Sequence, residues 1–515
     1  MRCPQICCAY TYRLSRRHST TCLIGFFIVT LVSILQLYSH KHYAHSYKEH
    51  IAGDFDYKPG AFLKGSFPNK SNNYCGFNYG LPRTLNFSSF RVYPSLEAGT
   101  KSPYRIIYNA IEALAYRNLS KYDEVTYVTH ATPEFIYHIV EIARYWNGPI
   151  SLSIFVPDYD LAIAMQILSQ LCQCYHGMSK VSVHLFYPKA FPPNVKRQRY
   201  IRTTTPPMTT TVNVEEVLKK KMENYRNLSG KARAEYVQKA MKNKIMKMLI
   251  PAPTRRTVAP ILKFKDCSGL QYTSYNIPTF RQQYNMLYPI NVGRNSARNA
   301  TKTIYFLVSD IELVPSDELA IHFVNMFRKL ISGNRSIIPR TVFVVPLFEV
   351  AKGELMPRDK KTLVEMVAEN RATYFHQKVC SHCQRFPGLQ TWLSRPQPEG
   401  VEPMMIARRE YPYHRWEPLY FGTNKEPWYS EILSWEGQQD KMTQMLELCL
   451  QNYRMVILDG GFLCHAAGPT PGTKKFRHPR AQSINEIKYM KIIAKFKEKY
   501  RPRGKCHINY GLETP

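Results

Sequence analysis

"IYFLVSDIELVPS" (Ile304–Ser316) begins as an unbroken apolar run and turns into Asp310-Ile311-Glu312 before reaching Pro315. Such a run, without alternation, reads as a strand covered on both faces, the pattern of a parallel sheet packed between helices. In open α/β sheets, ligands bind beyond the carboxyl ends of the strands. The two carboxylates therefore stand on a buried rim, where a bare charge is costly unless compensated. One compensation is a divalent cation. Asp-x-Glu sets two hard oxygen donors on one short turn, and Mn²⁺ or Mg²⁺ takes such oxygens together with those of a diphosphate. The other reading is structural: both acids cap the next helix or pair with arginines.

Upstream, the chain alternates. "YRIIYNAIEALAYRNL", from Tyr104, has helical apolar spacing; "DEVTYVTHAT" (Asp123–Thr132) reads as a strand; "PEFIYHIVEIARYW" opens on Pro133 and is helical. "GPISLSIFVPD" (Gly148–Asp158) and "KVSVHLFYP" (Lys180–Pro188) are strands on either side of the helical "YDLAIAMQILSQLCQ". Strand, helix, strand, helix, strand predicts right-handed crossovers and an α/β sheet with helices on its faces. The alternation breaks at residues 189–265, which carry 19 Lys/Arg against 4 Asp/Glu. This segment reads as an insertion, a Thr/Pro-rich loop plus a basic helix, either solvated or a docking surface for an acidic partner or lipid. Beyond it, "DELAIHFVNMFRKLI" is helix-like and "RTVFVVPLFEV" (Arg340–Val350) reads as one strand. No internal repeat is present.

The ends and the composition fix the setting. Residues 20–38 ("TTCLIGFFIVTLVSILQLY") are uncharged and long enough to span a bilayer. Arg2, Arg13, Arg16 and Arg17 precede them, against Lys41 and Lys48 after, so a signal anchor with residues 1–19 in the cytosol is expected. A cleaved signal peptide is the alternative. Six Asn-x-Ser/Thr sequons lie beyond the anchor, at Asn69, Asn86, Asn118, Asn227, Asn299 and Asn334, as does disulfide-permissive cysteine usage. Nine cysteines follow the anchor, an odd number, so at least one thiol is free or pairs between chains. Residues 39–100 look like a stem, with little periodicity. The 515-residue chain, 44% hydrophobic, is ample for a large core, and its net charge of +32 suits a phosphate- or carboxylate-bearing partner. Nucleic acid is one such partner, but the anchor and sequons argue against it.

"NVGRNSARNATKTIYFLVSDIELVPS" resembles the donor-site segment of the glycosyltransferase family that includes β-1,4-glucuronyltransferase 1 and the glucuronyltransferase domain of the LARGE enzymes. The resemblance continues in "VVPLFEV" (Val344–Val350), "WEPLYF" (Trp416–Phe421), "MTQMLELC" (Met442–Cys449) and "GGFLCHAAG" (Gly460–Gly468), and upstream in "YVTHAT" and "WNGPISLSIFVP". It runs in order over roughly residues 100–510, apart from the basic insertion. It implies a GT-A fold, a Rossmann-like mixed sheet flanked by helices, as a single catalytic domain at 101–510 behind a type II Golgi anchor. It also implies a UDP-sugar donor bound through Mn²⁺, with Mg²⁺ the alternative, and a glycan acceptor on a glycoprotein. The sugar it points to is glucuronic acid, passed to a xylose-ended glycan such as that on dystroglycan. Xylose or N-acetylglucosamine transfer, or an inactive lumenal binding or chaperone subunit, are the rival readings. A homodimer or enzyme-complex partner stays open.

By motif match, Asp310 and Glu312 are the metal carboxylates and His465 a further ligand; otherwise His465 reads as an ordinary loop histidine. The family triplet usually ends in Asp, so Glu312 puts metal affinity in doubt. Arg294 and Asn295 match the family's "RN" pair, where an arginine holds a diphosphate or sugar carboxylate by paired hydrogen bonds, or else a surface salt bridge. Thr129 and His130, ending the first strand, are placed to meet the nucleotide. Glu349 and Glu417 either orient sugar hydroxyls or satisfy buried donors. Inverting transfer needs a general base, and "SWEGQQDKMTQ" (Ser434–Gln444) supplies Glu436 and Asp440. Asp440 is the favoured base; a helix N-cap is its other reading. Cys380-Ser381-His382-Cys383 reads as a disulfide before a zinc site.

Overall fold

The computed structural model describes residues 73–81, 85, 89–118, 124–194, 261–264, 267, 277–332, 339–466, 479–501, 505 and 506, with Thr30 and Leu31. The expected tail and anchor, otherwise, and most of the 189–265 insertion lie outside the described residues. No helix among the described residues is long and apolar enough to cross a membrane. The chain divides into two units, and Tyr57–Pro515 holds all the elements that follow.

The strands are β1 (Gly76–Phe77), β2 (Tyr93–Pro94), β3 (Tyr104–Glu112), β4 (Val125–Ala131), β5 (Ile150–Phe155), β6 (Val181–Pro188), β7 (Tyr305–Val308), β8 (Leu313–Pro315), β9 (Thr341–Val345), β10 (Leu347–Val350), β11 (Ala372–Tyr374), β12 (Glu402–Ala407), β13 (Leu419–Gly422), β14 (Arg454–Asp459) and β15 (Leu463–His465). The helices are α1 (Ile139–Tyr145), α2 (Asp160–Cys174), α3 (Phe280–Gln283), α4 (Ile290–Asn299), α5 (Leu319–Ser332), α6 (Lys360–Ala368), α7 (Leu389–Ser394), α8 (Met442–Leu450) and α9 (Pro479–Lys499).

The main sheet runs β1-β3-β6-β5-β4-β7-β13-β9-β14-β12, with β2 also on β3. Its centre, β6-β5-β4-β7, is parallel, as the alternation of elements predicts. The antiparallel β13, between β7 and β9, makes the sheet mixed. Every residue of β4 and β5 is buried, which is why both read as continuous runs instead of alternating ones. Helix α4 packs on this centre, and Gly293 permits the approach: a Cβ there would meet the His130 Cβ and the Phe186 ring at 3.0 Å. A second sheet, β11-β10-β15-β8, gathers short strands from four distant parts of the chain.

Three expectations about elements are corrected. "YRIIYNAIEALAYRNL" is not a helix: it forms β3 and a 3₁₀ turn at Leu114–Tyr116. Strand β3 pairs with β6 through an irregularity between Ile107 and Ile111, where Asn109 takes φ of 51°. Ile106, Ile107, Ala110 and Ile111 are all buried, with both faces of the strand covered and the irregularity between the pairs, and that spacing imitates a helix. "RTVFVVPLFEV" is not one strand but β9 and β10, in different sheets. The break falls at Pro346, which has no N–H, while its carbonyl accepts from Leu463 N at 2.9 Å. Part of the expected stem is folded in: β1 and β2 pair with β3, and Glu97 accepts from Glu431 N at 2.5 Å. Strands of two residues leave no periodicity to read.

Disulfides join Cys75–Cys172, Cys174–Cys267, Cys380–Cys383 and Cys449–Cys506. Among the described residues Cys464 is the free, buried thiol, one of the two outcomes the odd count allowed.

Candidate active site

The site forms where the two sheets meet. Strand β7 ends at Val308; the turn Ser309–Glu312 then hands the chain to β8 in the second sheet. The turn is pinned from both sides: Ser309 N donates to Val128 O at 2.9 Å, and Tyr127 Oη donates to Leu313 O at 2.7 Å. Asp310 therefore points back over the main sheet, and Glu312 stands at the start of β8. Leu313 is in register with His465, and His465 with Glu349 on β10. The pairing thus brings Glu312, His465 and Glu349 together although they lie far apart in sequence.

Asp310 is held by three groups. Arg294 donates through NH2 to Oδ1 at 2.8 Å, Lys441 Nζ bonds Oδ2 at 2.9 Å, and His130 Nε2 meets Oδ1 at 3.2 Å. Burial alone would raise its pKa, but Lys441 and Arg294 outweigh it and hold the carboxyl well below its ordinary range. Burial lowers the pKa of His130 against the pull of Asp310, which favours the neutral ring. Its Nε2–H faces the carboxylate, and its Nδ1 accepts from Tyr288 Oη at 2.9 Å. The Arg294 guanidinium, 2% exposed, also reaches Asn291 Oδ1 at 2.9 Å and the Asp440 carboxylate. Burial opposes its charge, yet Asp440 and Asp310 more than offset this and raise its pKa.

Glu312 and His465 form the second half. His465 Nε2 lies 3.4 Å from Glu312 Oε2, and its Nδ1–H donates to the Ala466 carbonyl. Burial would lower the His465 pKa, but the Glu312 carboxylate raises it; in turn Glu312, against burial, is lowered by His465 and His138.

The remaining expected residues are placed unequally. Asn295 is spent on structure: its amide bonds Tyr429 O at 2.8 Å, Tyr429 N at 3.1 Å and Glu431 Oε1 at 3.2 Å. Thr129 follows Val128 on β4 and faces away from His130, because neighbouring strand residues point to opposite faces. Its buried Oγ1 finds no hydrogen-bond partner among the described residues. Glu349, its pKa raised by burial, accepts from His376 N at 3.2 Å. The Glu417 carboxyl is likewise raised by burial, and Lys441, Asp440 and Arg294 are its charged neighbours. Asp440 is not the cap of α8; Lys441 holds that position, without a side-chain cap bond, while Asp440 faces Arg294. Glu436 accepts from Tyr288 N at 2.9 Å. The Cys380–Cys383 disulfide and His382 form the group of three metal-type side chains whose ligand atoms all lie within 4.8 Å among the described residues, but both sulfurs are bonded to each other.

The family described as "Glycosyl-transferase for dystroglycan" matches residues 124–503, a span that contains every element just described at the rim. The chain belongs to this glycosyltransferase family. Beta-1,4-glucuronyltransferase 1 of Danio rerio is 24% identical over 376 residues, 72% of this chain and 73% of the relative. The Homo sapiens protein of that name is 24% identical over 394 residues, 75% of this chain and 79% of the relative. The xylosyl- and glucuronyltransferase LARGE2s of Gallus gallus is 26% identical over 198 residues, 37% of this chain and 24% of the relative.

Glycosyltransferases of the GT-A kind generally use a divalent metal; among the described residues the ligand atoms of Asp310, Glu312 and His465 do not all lie within 4.8 Å of one another. The carboxylates offer hard oxygens, and because Nδ1 of His465 is committed to a carbonyl, Nε2 is the ring nitrogen beside Glu312 that a metal would take once the ring has lost its proton. Two groups escaped the sequence reading. Lys441 stands next to Asp440 in "QQDKMTQ", where attention to carboxylates hid a cation bonded to Asp310. Arg298, one turn after Arg294, donates to Pro427 O at 2.8 Å and Glu426 O at 2.6 Å and stacks on Trp428, fixing the segment that Asn295 also holds. The only signal for it was a second arginine at helical spacing.

Proposed function

We propose that this chain transfers glucuronic acid from UDP-glucuronic acid to a xylose-ended glycan of the dystroglycan O-mannosyl type, with inversion. The setting is the Golgi lumen, behind a single type II anchor. The observation that carries the reading is the rim itself. A carboxylate turn stands at the end of a buried parallel strand, beside His465, with Arg294 and Lys441 within hydrogen-bond distance of Asp310. Asp310, Glu312 and His465 would hold Mn²⁺, with Mg²⁺ the alternative. When bound, the metal neutralises the diphosphate leaving group. Arg294 and Lys441 add fixed positive charge where negative charge develops on departure of UDP. The relatives' names, beta-1,4-glucuronyltransferase 1 and a xylosyl- and glucuronyltransferase, support the sugar, and the family description, "Glycosyl-transferase for dystroglycan", supports the acceptor.

Asp440 takes the acceptor's proton in this account. Arg294 holds its Oδ2, and Oδ1 enters no hydrogen bond among the described residues. Glu417, whose carboxyl is raised by burial and lies among Lys441, Asp440 and Arg294, is the second candidate. Loss of turnover in Asp440→Asn, but not in Glu417→Gln, assigns the role to Asp440; the reverse assigns it to Glu417.

A second functional reading, an inactive lumenal binding subunit, draws on Glu312 in the usual Asp position and on the cations already holding Asp310. The test is UDP release by purified full-length protein from UDP-glucuronic acid, UDP-xylose and UDP-N-acetylglucosamine, with and without Mn²⁺. Metal-dependent release from the first, enhanced by a xylose-ended acceptor, is expected. Release from UDP-N-acetylglucosamine alone overturns the sugar assignment, and release from none of them supports the inactive reading.

A further inference from the structure

The two cations on Asp310 are bound in different ways. Arg294 is fixed: besides Asp310 it holds Asn291 and Asp440 and is almost fully buried. Lys441 is not. An ammonium has three N–H donors. Lys441 Nζ uses one, on Asp310 Oδ2 at 2.9 Å, and enters no other hydrogen bond or ion pair among the described residues, although its side chain is only 11% exposed. A buried ammonium with donors to spare is costly unless something else accepts them.

The position of Lys441 adds a second observation. It is the N-cap residue of the nine-residue α8, at the positive end of a helix. A cation is disfavoured there and an anion favoured. Arg294 sits on the far side of the same carboxylate. The helix end, Lys441 and Arg294 thus bring positive charge to Asp310, the one carboxylate hydrogen-bonded to both side chains among the described residues; Asp440, on Arg294, and Glu417 are the further carboxylates in their neighbourhood. If a metal takes Asp310, the Lys441 ammonium loses its one hydrogen-bond acceptor and needs another.

We propose that Lys441 is a displaceable counter-cation that couples metal and nucleotide binding. Without metal it neutralises Asp310. When a divalent cation takes Asp310, the ammonium turns onto the phosphate oxygens of the nucleotide diphosphate. The metal alone must displace Lys441 from its one hydrogen-bond partner, whereas with UDP present the displaced ammonium gains the diphosphate oxygens at once. Each ligand therefore tightens the other by the same factor. This rests on the metal and UDP-sugar reading given above.

The test is Mn²⁺ titration of full-length protein by electron paramagnetic resonance, with and without UDP, for wild type, Lys441→Met and Lys441→Arg. For wild type, UDP tightens Mn²⁺ by a factor on the order of 10 to 100. For Lys441→Met, Mn²⁺ alone binds about fivefold more tightly than to wild type, and the effect of UDP shrinks about tenfold. Lys441→Arg retains most of the coupling. Near-ultraviolet circular dichroism checks that each variant is folded, and Lys441→Gln replaces Lys441→Met if that protein is not. Wild type that binds Mn²⁺ cooperatively with UDP, alongside a methionine variant with unchanged constants, overturns the role of Lys441 alone. Wild type that binds no Mn²⁺ with or without UDP overturns the metal reading, and this inference with it.

Discussion

Arg294 and Asn295 are neighbours in sequence, yet their side chains leave α4 in different directions and serve different purposes. Arg294 reaches the rim, while Asn295 closes its amide on the backbone of Tyr429. The motif alone shows a pair; only helical geometry separates them, since adjacent helix residues do not share a face. Asn295→Ala leaves buried backbone groups of Tyr429 unpaired and is expected to cost about 2–3 kcal/mol in chemical denaturation. Glu312→Gln should do the opposite. Its side chain is 44% exposed, so stability should change by no more than about 0.5 kcal/mol while sugar transfer falls by roughly 100-fold. Equal losses of stability in both variants would contradict this division of labour.

At the scale of elements, what could be read in advance was what burial writes plainly. The parallel strands β4, β5 and β6 and the helix α2 announced themselves through long apolar runs. Strand β3 did not, because one irregularity sits between two buried pairs and destroys the two-residue period. The carboxylate turn was legible from its place after β7, but the approach of β15 to β8 was not, since three-residue strands carry too little pattern to pair by eye. Helix α1 also hides a titratable group. Glu141 is buried with both carboxylate oxygens unpartnered, and burial pushes its pKa from 4.5 to about 7 against the nearby Arg144 and Arg358. The folded protein thus holds a proton that the unfolded chain loses. Stability from this group is fully present below pH 4.5, falls as pH rises toward 7, and is lost above it. Glu141→Gln should therefore stabilise the protein by on the order of 2–3 kcal/mol at pH 8, with no gain below about pH 4.5. Melting curves across that range check it; a gain at low pH instead would show that the carboxylate is paired.

For the whole molecule, the cysteines give the plainest account of what composition can and cannot say. Their odd number beyond residue 38 left at least one thiol free or paired between chains; among the described residues it is Cys464, between Leu463 and His465 on β15. The pairing of the other eight was not readable, because it depends on how the sheet brings distant segments together. Peptide mapping after alkylation should find Cys464 protected in the native protein and modified once it is denatured without reductant. Modification of Cys464 in the native state would contradict its burial. The net charge of +32 pointed to an anionic partner without naming one. In the proposed function that partner is a diphosphate, met by Arg294 and Lys441 beside the carboxylate turn. The most direct test is calorimetric binding of UDP to the full-length protein with and without Mn²⁺. The account predicts tight binding that requires Mn²⁺ and is abolished in Glu312→Gln. UDP binding that is indifferent to Mn²⁺ and to that substitution would contradict it.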